Sequence, residues 1–421
     1  MNTKDATLKN SMYKSFLIVI IFINTTTLNL SAQDVTQTYS RSIKSFGVLS
    51  ENNAALNKLN LQKAIDWAAN YGAALFVEPT DKPYEIESGI ILKKNVSLVG
   101  VHGPVPRGTK HPNFNRPVGS VFSIRDTLSA FITVESSTQI KGIQFWYPEQ
   151  SIKDPSKIIA YPATIQVTKT KFTEGVTLTN LTFYGEYLAM DFKASAKFPC
   201  ELILIEHCHG YPLSGEFIRI DYCYDVPRVL HCHVNPAIQR QLGGQNSIQI
   251  VDAVVANKKF TYSINHTDNA QLIDLFTFGN YGGIYLGSAS YGQLTNFNFD
   301  CVTVGVHKLG DNAKNRNWMI AQGSIIANTG AKLADVHPFI IEGKGHTSIS
   351  NVEAFSGSNK ALSNLGQSQD FMLISGKDLA TITLVGCRMR NYQSDLPFTI
   401  LNPNALIIAE ACIDKFEKPY R

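Results

Sequence analysis

At 421 residues the chain has room for two ordinary domains or one long repeat body. Its formal net charge of +4 falls to +2 if residues 1–32 are removed, since Lys4, Lys9, Lys14 and Asp5 go (4 − 3 + 1 = 2), and no clustered basic footprint of a nucleic-acid binder remains. Charged residues make up 17%, low against roughly 25% in an average soluble protein, which points to neutral polar turns and stacked side-chain ladders.

The N-terminus carries Lys14, the apolar run Phe16 to Ile23, and then Ser31-Ala32-Gln33. That order of basic, apolar and small residues predicts a secretory signal over residues 1–32 and a periplasmic, cell-surface or secreted protein. The apolar run is far short of the ~20 residues of a membrane span, and no cysteine follows it to accept a lipid. Residues 33–45 read as a mobile leader.

Leu61, Ile65 and Ala68 then recur at helical spacing, predicting one amphipathic helix over 60–71 that stops before Gly72. Short strands follow at Ala73–Val77, Tyr84–Ile86, Gly89–Leu92 and Val96–Val99, without further helices. A helix followed only by strands suggests an N-terminal cap on a β-solenoid, because the end of a repeat stack must be closed. Phe46-Gly47, the helix with Gln62, Ala64 and Ile65, the phrase Phe76-Val77-Glu78-Pro79, Tyr84 and Val96-Ser97-Leu98-Val99-Gly100 together resemble the opening module of the pectate-lyase-like β-helix superfamily. Thr80-Asp81-Lys82-Pro83 departs from it, standing where relatives have a glycine turn. The resemblance spans about residues 43–100. It implies an all-β, single-stranded right-handed parallel β-helix over residues 46–421, capped by 46–95, and a carbohydrate-active protein.

Beyond the cap, Val101–Asn115 is rich in Gly, Pro and His and reads as a loop, as does Pro148–Pro162. Ile140–Phe145, Val176–Phe183, Leu272–Phe278, Leu294–Phe299, Ile349–Phe355 and Ile382–Met389 are variants of one phrase. Roughly a dozen coils fit between residue 95 and the end, at the 20–30 residues usual for such units. Leu406–Ile413 reads as the last strand.

The sharpest repeat is His207-Cys208-His209 with Pro212, which returns as His231-Cys232-His233 with Pro236 at an offset of 24 (231 − 207; 236 − 212). A unit this short leaves no space for a βαβ crossover of ~30 residues, whereas adjacent β-helix coils would stack equivalent residues ~4.8 Å apart. The four histidines then form one ladder and the two cysteines another. Strict alternation fails here: facing Leu230, Cys232 and Val234 inward also points Glu206 and Arg228 inward, unless a turn intervenes. The ladder is open to three readings: structural stacking, one wall of an active site, or ligands for a divalent metal, although no complete ligand set is evident. The seven cysteines, an odd number, read as buried free thiols.

Alternation in Phe217–Asp225 sends Arg219 and Asp221 outward beside the ladder. The candidate catalytic residues are Asp221, Asp225, Arg228, His231 and His233; the candidate substrate contacts are His207, His209, Arg219, Asp252, Tyr281, Tyr285 and Tyr291, in a groove walled by the loops 101–115 and 148–162. Each of these has a bland account as a solvated ion pair or a core ring. Lys308, Arg316, His337, Glu342, His346 and Glu353 are scattered later without a constellation. No Asp-Asp pair, GxSxG, HExxH or P-loop occurs. The expected function is cleavage of a polysaccharide partner without a cofactor, leaning to a lyase on a uronic-acid glycan. The alternatives are a hydrolase with two carboxyl groups about 5–9.5 Å apart and a non-catalytic glycan-binding solenoid.

Overall fold

The computed structural model describes residues 39–103, 110–111, 114–240, 248–310, 317–329, 335–356 and 366–420. Ser42–Arg421 form one compact unit; the expected signal at 1–32 lies outside the described residues. Part of the expected leader is structured, since a 3-10 turn at Ile43–Phe46 buries Ile43 and sets Phe46 5.3 Å from Trp67.

The helix begins earlier than its apolar spacing predicts, at Ala54, and runs to Tyr71. Asn53 caps it through the Leu56 N–H, and Gly72, at φ 61°, ends it in the left-handed conformation that glycine tolerates best. Leu61, Ala64, Ile65 and Ala68 are fully buried and close the first coil.

From Ala74 onward the chain winds through three ladders of parallel strands, here called faces 1, 2 and 3; among the described residues faces 1 and 2 join into one 25-stranded sheet, and face 3 belongs to a separate 12-stranded sheet. Face 1 includes Ser97–Gly100, Gln139–Lys141, Thr177–Thr179, Leu204–Glu206, Arg228–Leu230 and, at the far end, Ala405–Glu410. The chain turns from it into face 3, with Ile143–Trp146, Thr182–Tyr184, His209–Gly210, His233–Val234 and Phe276–Phe278. It then crosses to face 2, with Met190–Lys193, Ile218–Asp221, Phe260–Ile264, Gly282–Leu286 and Val304–Lys308. Parallel strands joined by crossovers of one sense give the β-helix, and the right-handed sense is the one that strand twist favours.

Inward residues stack in register. On face 1 the ladder Leu98, Ile140, Leu178, Ile205, Val229, Leu272, Leu294, Ile320 and Ile349 is at most 1% exposed throughout, each rung contributing about 1.5–3 kcal/mol of apolar burial. On face 3 Phe145 stacks on Phe183 at 5.2 Å. Gly210 follows on the next coil, where a Cβ would strike Glu186 and Phe217. Cys208 and Cys232 are buried free thiols, as are Cys200, Cys223, Cys387 and Cys412; Cys301 is half-buried. Two further helices follow His233, Ala237–Arg240 and the longer Ile248–Ala256, which buries Val254. Its β-branched composition reads as strand; packing against the coil flank overrides that preference.

Candidate active site

One residue per coil makes the turn from face 1 to face 3, and it sits at positive φ: Gly142, Asn180, His207, His231, Asp274, Asn296, Gln322, Asn351, Gly386 and Ala411. Each of these N–H groups from Gly142 to Gly386, apart from that of Ala411 at the end, donates to the last face-1 carbonyl of the following coil, as Asn180 does to Glu206, His207 to Leu230 and His231 to Ile273. This is the turn that restores the alternation around the histidines: Cys208 and Cys232 point in, while His209 and His233 point out in register on face 3.

His207 and His231 are therefore corner residues, stacked at 4.9 Å with their planes 16° apart. His231 Nδ1 lies 2.9 Å from Asp274 Oδ2. His209 and His233 belong to a separate column, in which His102 stacks over His209 at 6.2 Å and Phe276 over His233 at 4.2 Å. Burial and the neighbouring His233, His102 and His207 push the His209 imidazole down to about 3, so its ring stays neutral.

Face 2 carries the densest polar chemistry. Asp191, Arg219, Ser263, Tyr285 and His307 occupy equivalent outward positions on successive coils. Arg219 Nη2 donates to Asp191 Oδ2 at 3.0 Å, and its Nη1 lies 3.7 Å from Glu216. Lys169 approaches Asp191 at 3.7 Å. In the next column Asp221 Oδ1 is 2.7 Å from His266 Nδ1, and the His266 ring lies flat on Tyr222 at 4.1 Å and 6°. Tyr222 and His266 both have positive φ, 55° and 38°, a costly conformation for bulky residues that persists where surrounding structure enforces it. Farther along the face, Tyr281, Tyr285 and His307 surround Phe260 at 5.7–5.8 Å, and His307 reaches Glu342 at 3.4 Å. Burial raises the phenols of Tyr281 and Tyr285, which keeps them protonated.

The single groove expected from sequence is thus divided. Arg219, Asp221, Tyr281 and Tyr285 meet on or beside face 2. Arg228 stands on face 1, bonded to Gln271 at 3.2 Å; Tyr291 is the second residue of another face-1 strand, Ser290–Thr295; Asp225 is exposed on the bend before face 1. His207 and His231 are at the corner between faces 1 and 3, His209 and His233 on face 3, and Asp252 on the lateral helix. A three-sided prism cannot aim these side chains at one ligand. The expected walls separate too: His102 of the first loop bonds Thr182 over face 3, whereas the loop at 148–162, held by Gln150 on Ile159, lies between faces 3 and 2. Of the scattered residues, His337 is buried against Asp370, His346 bonds Thr383, Glu353 pairs with Arg390, and Lys308 is buried; Arg316 lies outside the described residues.

Sequence reasoning missed Asp191, Glu216, Ser263 and His266. Nothing local marks Asp191. His266 had one signal: the strand Phe260–Ile273 is too long for one face and must bend, and His266 is at that bend.

Three comparisons bear on the fold. No protein-family model matches the chain, and no curated protein matches it. Among solved structures, the chain is similar to a tailspike protein of E. coli bacteriophage HK620 in complex with a pentasaccharide, at TM-score 0.51 and 11% identity, covering 89% of this chain and 66% of that one. It is similar to the N-terminal fragment of bacteriophage Phi29 gene product 12, at TM-score 0.50 and 12% identity, covering 90% and 68%. The A-module of the Azotobacter vinelandii mannuronan C-5 epimerase AlgE6 aligns at TM-score 0.44 and 10% identity over 90% of this chain and 100% of that one. The fold is a right-handed parallel β-helix.

Proposed function

We propose that the protein acts on a glycan lying along face 2, with Asp221 and His266 as its acid–base pair. The observation that carries this reading is the 2.7 Å contact between Asp221 and His266 Nδ1, on a half-exposed, conformationally strained bend beside Arg219. Asp221 favours a proton on Nδ1, which leaves the Nε2 lone pair as the base. The Asn265 Nδ2 lies 2.9 Å from the same nitrogen, so a proton on Nδ1 requires the amide turned to present its oxygen to the ring. Phe260, Tyr285 and His307 offer ring faces to neighbouring sugars. The fold-level likeness to a tailspike holding a pentasaccharide supports a glycan ligand by analogy.

The reaction this arrangement suits best is β-elimination on a uronic-acid polymer. His266 takes the C5 proton, the C4–C5 double bond forms as the C4–oxygen bond breaks, the proton held on His266 passes to the departing O4, and Arg219 and Lys169 offset the charge developing on the uronate carboxylate. A second reading, hydrolysis, is favoured by Asp191 and Glu216 flanking one guanidinium. Incubation with a panel of acidic and neutral glycans separates the two. Reducing ends with ultraviolet-absorbing unsaturated sugars mean a lyase, reducing ends alone mean a hydrolase, and binding without either refutes catalysis.

We propose also that the chain is exported after loss of residues 1–32. No helix among the described residues is long and apolar enough to cross a membrane. N-terminal sequencing of cell-fractionated protein tests this, and an intact Met1 on cytoplasmic material refutes it.

A further inference from the structure

The corner between faces 1 and 3 carries a second, separate chemistry. Asn, Gly, Asp, Gln and Ala make that turn elsewhere, so its backbone has no need of imidazole; yet His207 and His231 occupy it on adjacent coils. Glu206, the last residue of its face-1 strand, stands beside them, with Oε1 3.7 Å from His207 Nε2. Glu206, His207 and His231 each offer a ligand atom, all within 4.8 Å of one another. All three side chains are partly exposed, at 31%, 50% and 39%, so rotation can close that spacing to the bond lengths of about 2.0–2.2 Å that zinc requires.

Asp274 is the independent observation. It makes the same turn on the next coil, and its carboxylate sits 2.9 Å from His231 Nδ1. A carboxylate on one ring nitrogen fixes the tautomer, orients the ring and raises the basicity of the other nitrogen, the usual outer support of a metal-bound histidine. We propose that Glu206, His207 and His231 bind one divalent transition-metal ion, zinc or a close congener, with Asp274 as the positioning residue and solvent completing the coordination. Two imidazoles and one carboxylate suit such an ion better than calcium or magnesium, which take oxygen ligands. The site is remote in the coil from Asp221, and its occupancy is read independently of glycan turnover.

The test is equilibrium dialysis of the full chain against zinc alone, with circular dichroism and melting temperature as folding controls. The wild type should take up one equivalent at this site and gain melting temperature with zinc. His207→Asn with His231→Asn, which installs the residue found at Asn180, Asn296 and Asn351, should keep the fold and lose that equivalent. Asp274→Gly should weaken zinc by about 10- to 100-fold. Should the double variant fail to fold, Glu206→Gln leaves the corner intact and must still weaken binding by about 10-fold or more. No saturable equivalent in the wild type, or unchanged uptake in the folded double variant or in Glu206→Gln, overturns the proposal.

Discussion

Two bends of the same coil use histidine in opposite ways. At the corner between faces 1 and 3, His207 and His231 repeat a backbone solution that Asn180, Asp274 and Asn351 also supply, with one residue at positive φ and one N–H donated to the next coil. At the bend from face 2 toward face 1, Tyr222 and His266 hold equivalent positions on two adjacent coils and are also at positive φ, but Ala194 and Ser288, their equivalents on the flanking coils, are not. The ring of one lies on the ring of the other, and the imidazole is aimed at a carboxylate. Recurrence along a solenoid marks what the fold needs, and a break in recurrence marks where a coil has been committed to something else.

The largest expected effect sharpens that contrast. Asp221→Asn should lower turnover by about 10²- to 10⁴-fold, the usual contribution of a positioned acid–base group, with little change in melting temperature; the glycan assay and a thermal melt check it together. At the repeating corner the balance should reverse. Asn351→Val puts a β-branched residue at φ 51° and should cost about 1–3 kcal/mol, measurable by denaturant unfolding, while activity per folded molecule is retained.

Smaller effects come from two buried titratable groups, Glu186 between faces 3 and 2 and His209 on face 3. Glu186 is fully buried with neither carboxyl oxygen in well-aligned hydrogen-bond geometry, and desolvation raises its carboxyl to about 8 against the weaker opposing pull of the Glu186 and Tyr211 backbone. In the unfolded chain it ionises near 4.3, so the unfolded state loses its proton first and folded stability falls as pH rises from roughly 4.3 toward 8. Glu186→Gln should therefore gain melting temperature relative to wild type across that interval, with the advantage largest at the alkaline end. His209 has the opposite sign. Its folded value of about 3 lies below the ~6.5 of an unfolded imidazole, so its contribution is complete above that value and is lost as pH falls toward 3. A melt series at decreasing pH on wild type and His209→Gln checks this, the variant showing the shallower acid slope.

Much of the fold was legible because coils repeat: the phrases Leu272–Phe278 and Leu294–Phe299 lie in register on adjacent coils, and so does the His-Cys-His pair. What sequence alone did not convey is which face each residue occupies. One left-handed residue rotates everything after it to another sheet, so Arg228, His231 and His233, nearly contiguous in the chain, look in three directions. For the same reason Asp191 and His266, 75 residues apart (266 − 191), share a face. The helix Ile248–Ala256 was hidden by its own composition, since only packing against the coil flank separates it from a strand.

The account rests most heavily on face 2, and the direct test measures product formation and melting temperature on His266→Gln and His231→Asn side by side. The prediction is that His266→Gln stays folded and loses turnover by about 10²-fold or more, while His231→Asn, in zinc-free buffer, stays within about 0.5 kcal/mol of wild type and keeps its activity. Full activity in folded His266→Gln together with loss in His231→Asn would contradict it and move the active site to the corner between faces 1 and 3.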